Sequence, residues 1–150
     1  MFLAKLSEIL QGVHLGYRVS AMFIDSAFGA PYVERLHRLG FKQVQEVRFG
    51  GDSPDRHYAN MRAYMWSRMK EWLQTGAIPN EERLEVDLTA PGYKINNQDK
   101  LVLESKEQMA KRGVASPDDG DALALTFSAP VSLQKQASVS NIRVSADYAW

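Results

Sequence analysis

The 150-residue sequence contains no cysteine. That excludes disulfides, thiolate nucleophiles and zinc–thiolate sites together, and it suits a reducing compartment. No run of about 18 apolar residues occurs, so no stretch reads as a membrane-spanning helix. The first ten residues carry Lys5 and Glu8 among their apolar side chains and lack the unbroken apolar core of a secretion signal. Neither sign of charge predominates: 18 Lys/Arg balance 18 Asp/Glu, so the chain is not a general polycation for nucleic acid. The G-x-x-x-x-G-K-[ST] loop of nucleotide hydrolases is missing, and Ser26 does not sit in a G-x-S-x-G nucleophile turn. His14, His37 and His57 are too scattered for metal-ligand spacing.

What is present is the composition of one folded domain, 45% hydrophobic and 24% charged. The charges are segregated. Eight Lys/Arg face three Asp/Glu between Arg35 and Lys70, whereas four face eight between Glu71 and Glu107. Two readings stay open: two solvated faces, or a phosphate-facing surface beside a metal-bearing one.

Helical spacing of Phe2, Leu3, Leu6, Ile9, Leu10 and Val13 predicts an amphipathic helix over 2–14, stopped by Gly16. Val19–Ile24 reads as a short buried strand, 30–39 as a helix ending at Gly40, and Gln43–Phe49 as a second strand. A Gly/Asp/Pro loop over 50–55 leads into a helix over about 57–74. Its inner stripe is Met61, Met65, Met69 and Trp72, with Arg62, Trp66 and Lys70 on another face. Leu84, Val86 and Leu88 alternate. Tyr93–Ile95 and Leu101–Leu103 flank a polar turn as a hairpin, and 105–111 forms a short helix. Ser116 and Pro117 open a last helix to about Phe127, with Ser116 at the cap, and 131–150 reads as a weakly ordered tail. Helix–strand–helix–strand–helix order implies an α/β core with parallel strands covered on both faces, plus the hairpin.

Two acidic features could carry chemistry. Asp25 follows a strand at its carboxyl end, where ligands bind in open α/β sheets; a cap for the next helix is the equal alternative. Asp118, Asp119 and Asp121 crowd a helix start, where the helix dipole alone attracts acids, but Asp118 and Asp121 also share a face as hard oxygen ligands. Gly120, Ala122 and Ala124 would let that helix sit close to a sheet. Carboxylates converging from the two elements would repel without a cation between them.

FIDSAFGAPYVERLHRLGF, NMRAYMWSRMKEWLQTGAI and KLVLESKEQMAKRGVASPDDGDALALTF occur in that order. Together, over about residues 18–130, they resemble the C-terminal nuclease domain of the large terminase subunit of tailed bacteriophages. The resemblance implies a partial RNase H-like (RuvC-like) α/β fold over 1–130. It also implies two-metal cutting of concatemeric double-stranded DNA during genome packaging, with Mg²⁺ or Mn²⁺ as cofactor. Asp25 and Asp121 match the family's acids, Asp118 the accessory position, and Arg35, Arg38, Lys42, Arg48, Arg56, Arg62 and Lys70 would steer DNA. The family's first acid precedes the helix matched by 2–14 and has no counterpart here, nor has its ATPase half. A weakly active chain follows, with a non-catalytic remnant that binds DNA or a packaging partner as the alternative. The expected setting is the cytoplasm of a bacterial host, the gene belonging to a phage or prophage. Expected partners are the remaining terminase portion, the small subunit, the portal, or a second copy through an open strand edge.

Overall fold

The computed structural model describes residues 2–132 and 134–135. The predicted tail lies outside them, except for 131–132 and one two-residue strand. Helix α1 (Phe2–Gln11) is shorter than its periodicity suggests. The chain leaves it at Gly12 and makes a miniature hairpin, β1 (Val13–His14) and β2 (Tyr17–Arg18). Leu15 and Gly16 hold its tip at φ +51° and +82°, so Gly16 serves a tight turn rather than a helix stop.

The centre is one parallel pair, β3 (Met22–Asp25) and β4 (Val44–Val47), in register from Met22 opposite Val44 to Asp25 opposite Val47. Helix α2 (Ser26–Arg38) makes the crossover between them. It begins at Ser26 rather than at residue 30, because the Asp25 carboxylate accepts from the Ala27 amide at 3.3 Å and caps it. Strand alternation then sorts the core into two layers. Met22, Ile24 and Val44 pack with Leu3, Leu6 and Leu10 of α1 and with Val33 and Leu36 of α2. On the other face Phe23 and Val47 pack with helix α3 (Met61–Trp72), around Met65, Trp66 and Met69.

Leu84, Val86 and Leu88 belong to helix α4 (Glu82–Thr89). Two-residue alternation over so short a run is also what a helix shows when Leu84, Asp87 and Leu88 turn inward and Val86 points out. Hairpin β5 (Tyr93–Ile95) and β6 (Leu101–Leu103) forms as expected. It is tied to the loop before α3 by Leu101, whose amide donates to His57 O and whose carbonyl accepts from Ala59. Helix α5 (Lys106–Lys111) starts with a Ser105–Gln108 capping box, and helix α6 (Asp118–Leu125) follows. Strand β7 (Gln134–Lys135) pairs with β2. Helices on both faces of a parallel pair, with a separate hairpin, bear out the α/β class.

Candidate active site

A cleft of about 900 Å³ opens where the carboxyl ends of β3 and β4 meet the hairpin and the start of α5. Asp25, Phe28, Arg48, Arg62, Lys94 and Lys106 are among its lining residues. The floor is fixed by main-chain bonds. The first amides of α3, those of Met61 and Arg62, donate to Gly51 O (2.8 Å) and Phe49 O (2.9 Å), and Asn60 caps the helix through the Ala63 amide. The Gly/Asp/Pro loop is thereby tied to the start of α3, and its first residues line the cleft.

Asp121 sits behind the cleft, only 4% exposed. Its Oδ1 accepts from Arg62 Nε (2.9 Å) and from the Trp66 indole N–H (2.8 Å). Arg62 also donates through Nη1 to Glu104 O (2.9 Å) and lies over the Trp66 ring. Neither Arg62 nor Trp66 faces solvent, although the helical spacing sets them on a face apart from the Met stripe. Both residues are recruited inward because Asp121 must be neutralised once buried. Asp121 Oδ2 is buried and stands 3.1 Å from Lys106 Nζ, its ion-pair partner.

Lys106 is the residue that sequence patterning missed. Its ammonium lies 3.1 Å from Asp118 Oδ1 as well, and so bridges the two acids of α6. Partial burial pulls its pKa down, but hydrogen bonds and charge attraction from Asp118 and Asp121 outweigh that and raise it. The Ser116 hydroxyl (2.6 Å) and then Lys106 hold the Asp118 pKa below the usual carboxylate range. Ser116 is therefore not the cap of α6, whose first position outside the helix is Pro117. The free amides of Asp119 and Gly120 are satisfied by Asp87 Oδ2 from α4, at 2.8 and 3.2 Å. Gly120 allows close approach to another helix rather than to the sheet: a Cβ there would come 2.9 Å from Trp66 Cη2, while Ala122 points outward.

Asp25, Asp118 and Asp121 do not form one ligand cluster. Among the described residues no group of three or more His, Asp or Glu is placed to hold an ion. The expected convergence is replaced by the Lys106 ammonium, which answers the repulsion between Asp118 and Asp121 that a cation would otherwise relieve. The donor set still suits a hard cation in part. Asp121 Oδ2 is met by an ammonium, which a metal ion could replace, and Asp25, partly exposed on the same cleft as Lys106, is held among the described residues by its cap bond.

The basic residues divide. Arg48 and Arg62 line the cleft, but the Arg62 guanidinium is committed to Asp121. Arg35 and Arg38 occupy the last turn of α2, roughly 15 and 20 Å along the helix from Asp25 at a rise of about 1.5 Å per residue, and Lys42 follows it. Arg38 pairs with Glu34. Arg56 is exposed in the loop before α3, and Lys70 lies over the Tyr93 ring. No helix among the described residues is long and apolar enough to cross a membrane.

No protein-family profile matches the chain, and no curated protein does either. Solved structures do. The nuclease domain of the large terminase subunit gp2 of bacterial virus Sf6 aligns at 21% identity and TM-score 0.58 over 75% of this chain and 66% of that one. A single-site mutant of that domain with manganese aligns at 19% and 0.61, covering 75% and 67%. A mutant with calcium aligns at 21% and 0.58, covering 75% and 66%. The chain thus spans about two thirds of that domain's length. Identities of 19–21% establish a shared architecture: the described chain has the RNase H-like fold of a terminase large-subunit nuclease domain.

Proposed function

We propose that the protein is a divalent-metal-dependent endodeoxyribonuclease of the phage terminase type, acting on double-stranded DNA in genome packaging. One observation carries the reading. A cleft at the carboxyl edge of the parallel pair holds a lightly engaged carboxylate, Asp25, and backs onto a buried one, Asp121, whose Oδ2 already faces a cation, the Lys106 ammonium. Asp25 and Asp121, with Asp118, are the carboxylates that would hold Mg²⁺ or Mn²⁺, and they would have to draw together from the positions seen here, where they form no cluster among the described residues. Such an ion activates a water and stabilises the leaving oxygen of a phosphodiester. Arg62 and Trp66 fix the Asp121 carboxylate through Oδ1, so Oδ2 faces Lys106. Arg48 and Lys94 on the cleft wall would draw the phosphate backbone. Lys106, which bridges Asp118 and Asp121, stands where it would compete with the ion for both carboxylates.

The Lys106 bridge also favours a second reading, a DNA-binding or packaging-partner module that does not cut. Plasmid nicking with Mn²⁺ separates the two. The nuclease reading expects nicking that Asp25→Asn abolishes. Salt-sensitive, metal-independent DNA binding without nicking selects the second reading, and nicking unchanged in Asp25→Asn removes Asp25 from the site.

A further inference from the structure

Phe28 is 90% exposed, more than any other aromatic side chain among the described residues, and it lines the cleft. An exposed ring leaves apolar area in water that stacking would cover. The backbone beneath it is fixed from two sides. Asp25 caps the first turn of α2 through the Ala27 amide, and Gly29 lets that turn lie directly on β3, where a Cβ would come 2.1 Å from Ile24 Cγ2. The ring is therefore presented by a rigid turn, and little order is lost when something packs on it.

The surrounding charge indicates what that is. Arg48 and Lys94 line the same cleft and are exposed. Arg48 meets its nearest carboxylate, Glu46, only at 3.9 Å, and Lys94 makes no ion pair among the described residues. Exposed cations beside a rigid aromatic face match a nucleic-acid strand, with phosphates on the cations and a base on the ring. We propose that Phe28 is a stacking residue that packs on a nucleobase of the strand whose phosphates lie on Arg48 and Lys94. This rests on the nuclease reading for the choice of DNA. A base reaches the ring only when it is out of the duplex stack, so the cleft takes DNA that is locally opened or kinked.

The test uses the full chain and oligonucleotides carrying 2-aminopurine, single-stranded and in duplex, with anisotropy reporting affinity across salt concentrations. Binding should change the 2-aminopurine fluorescence, and the single strand should bind more tightly than the intact duplex. Phe28→Ala should weaken binding about ten- to hundredfold and abolish the fluorescence change while leaving the salt dependence intact. Phe28→Trp should restore both. Arg48→Ala and Lys94→Ala should instead flatten the salt dependence, by about one unit of slope each. Salt-dependent binding by the unaltered chain, with Phe28→Ala matching it in affinity and fluorescence, overturns the proposal and leaves the nuclease reading standing. No salt-dependent binding by the unaltered chain overturns both.

Discussion

Two carboxylates at the same end of the molecule live under opposite conditions. Asp121 is buried and gripped by Arg62 and Trp66, with Lys106 alongside. Asp25 is partly exposed, at the end of a strand paired on one side by β4, and among the described residues a single cap bond holds it. The contrast separates what keeps the site in shape from what leaves it adjustable. The Asp121 knot joins four helices and the residue that follows the hairpin, since Arg62 comes from α3, Lys106 from α5, Asp87 from α4 caps α6, and the Glu104 carbonyl closes on Arg62. The Asp25 rim joins only β3 to its own following helix. Substitutions should therefore cost stability at the knot and binding at the rim.

The largest stability effect is expected from Arg62→Ala. It leaves Asp121 charged and buried without its main partner, a loss of about 3–5 kcal/mol. Thermal unfolding would show this as a fall of about 10 °C or more. A fall of a degree or two would mean that Asp121 is far wetter than its surroundings indicate. Asp87→Ala comes next. It strips the acceptor from two first-turn amides of α6 and should cost about 1–2 kcal/mol, read from the urea midpoint. Gly120→Ala belongs in the same range, about 1–3 kcal/mol, because the added methyl meets Trp66.

Acid sharpens the same comparison. The Glu104 carboxyl is held at about 2, against an ordinary 4.5, first by Arg112 and then by the Gly92 amide. A carboxyl depressed on folding adds stability at pH above its unfolded value, and that stability is lost as pH falls through the folded one. Stability measured by urea unfolding should therefore decline between pH 4.5 and 2, and Arg112→Ala should flatten that decline.

The sequence made the parallel pair, the crossover helix, the hairpin and the cleft's place at the strand ends legible, because period-two and helical patterns and turn residues are local signals. The knot was not legible. Arg62 and Trp66 fall on a face apart from the Met stripe, and their reason to face inward, Asp121, lies more than fifty positions away in the chain. Lys106 was invisible for a related reason: it is a charge at an exposed helix start, and only the fold sets it between Asp118 and Asp121. The cap of α6 was misassigned to Ser116 because a neighbouring hydroxyl is the usual donor-satisfying group, whereas Asp87 arrives from another helix.

The smallest stability effect belongs to the rim. Asp25→Asn keeps an oxygen that can accept from the Ala27 amide, and Asn ranks with Asp as a helix cap. The unfolding midpoint should hold to within about 0.5 kcal/mol. What the change removes is charge in the cleft, so Mn²⁺ affinity followed by calorimetry should drop sharply while the fold is unaltered. Asp25→Ala serves as the contrast, since it removes the cap as well and should add about 1 kcal/mol of destabilisation to the same loss of ion binding. Equal destabilisation by the two variants would make Asp25 a structural residue like Asp121. Unchanged Mn²⁺ binding in both would leave the ion, if one binds, entirely to the acids of α6, and the division between a gripping knot and an adjustable rim would fail.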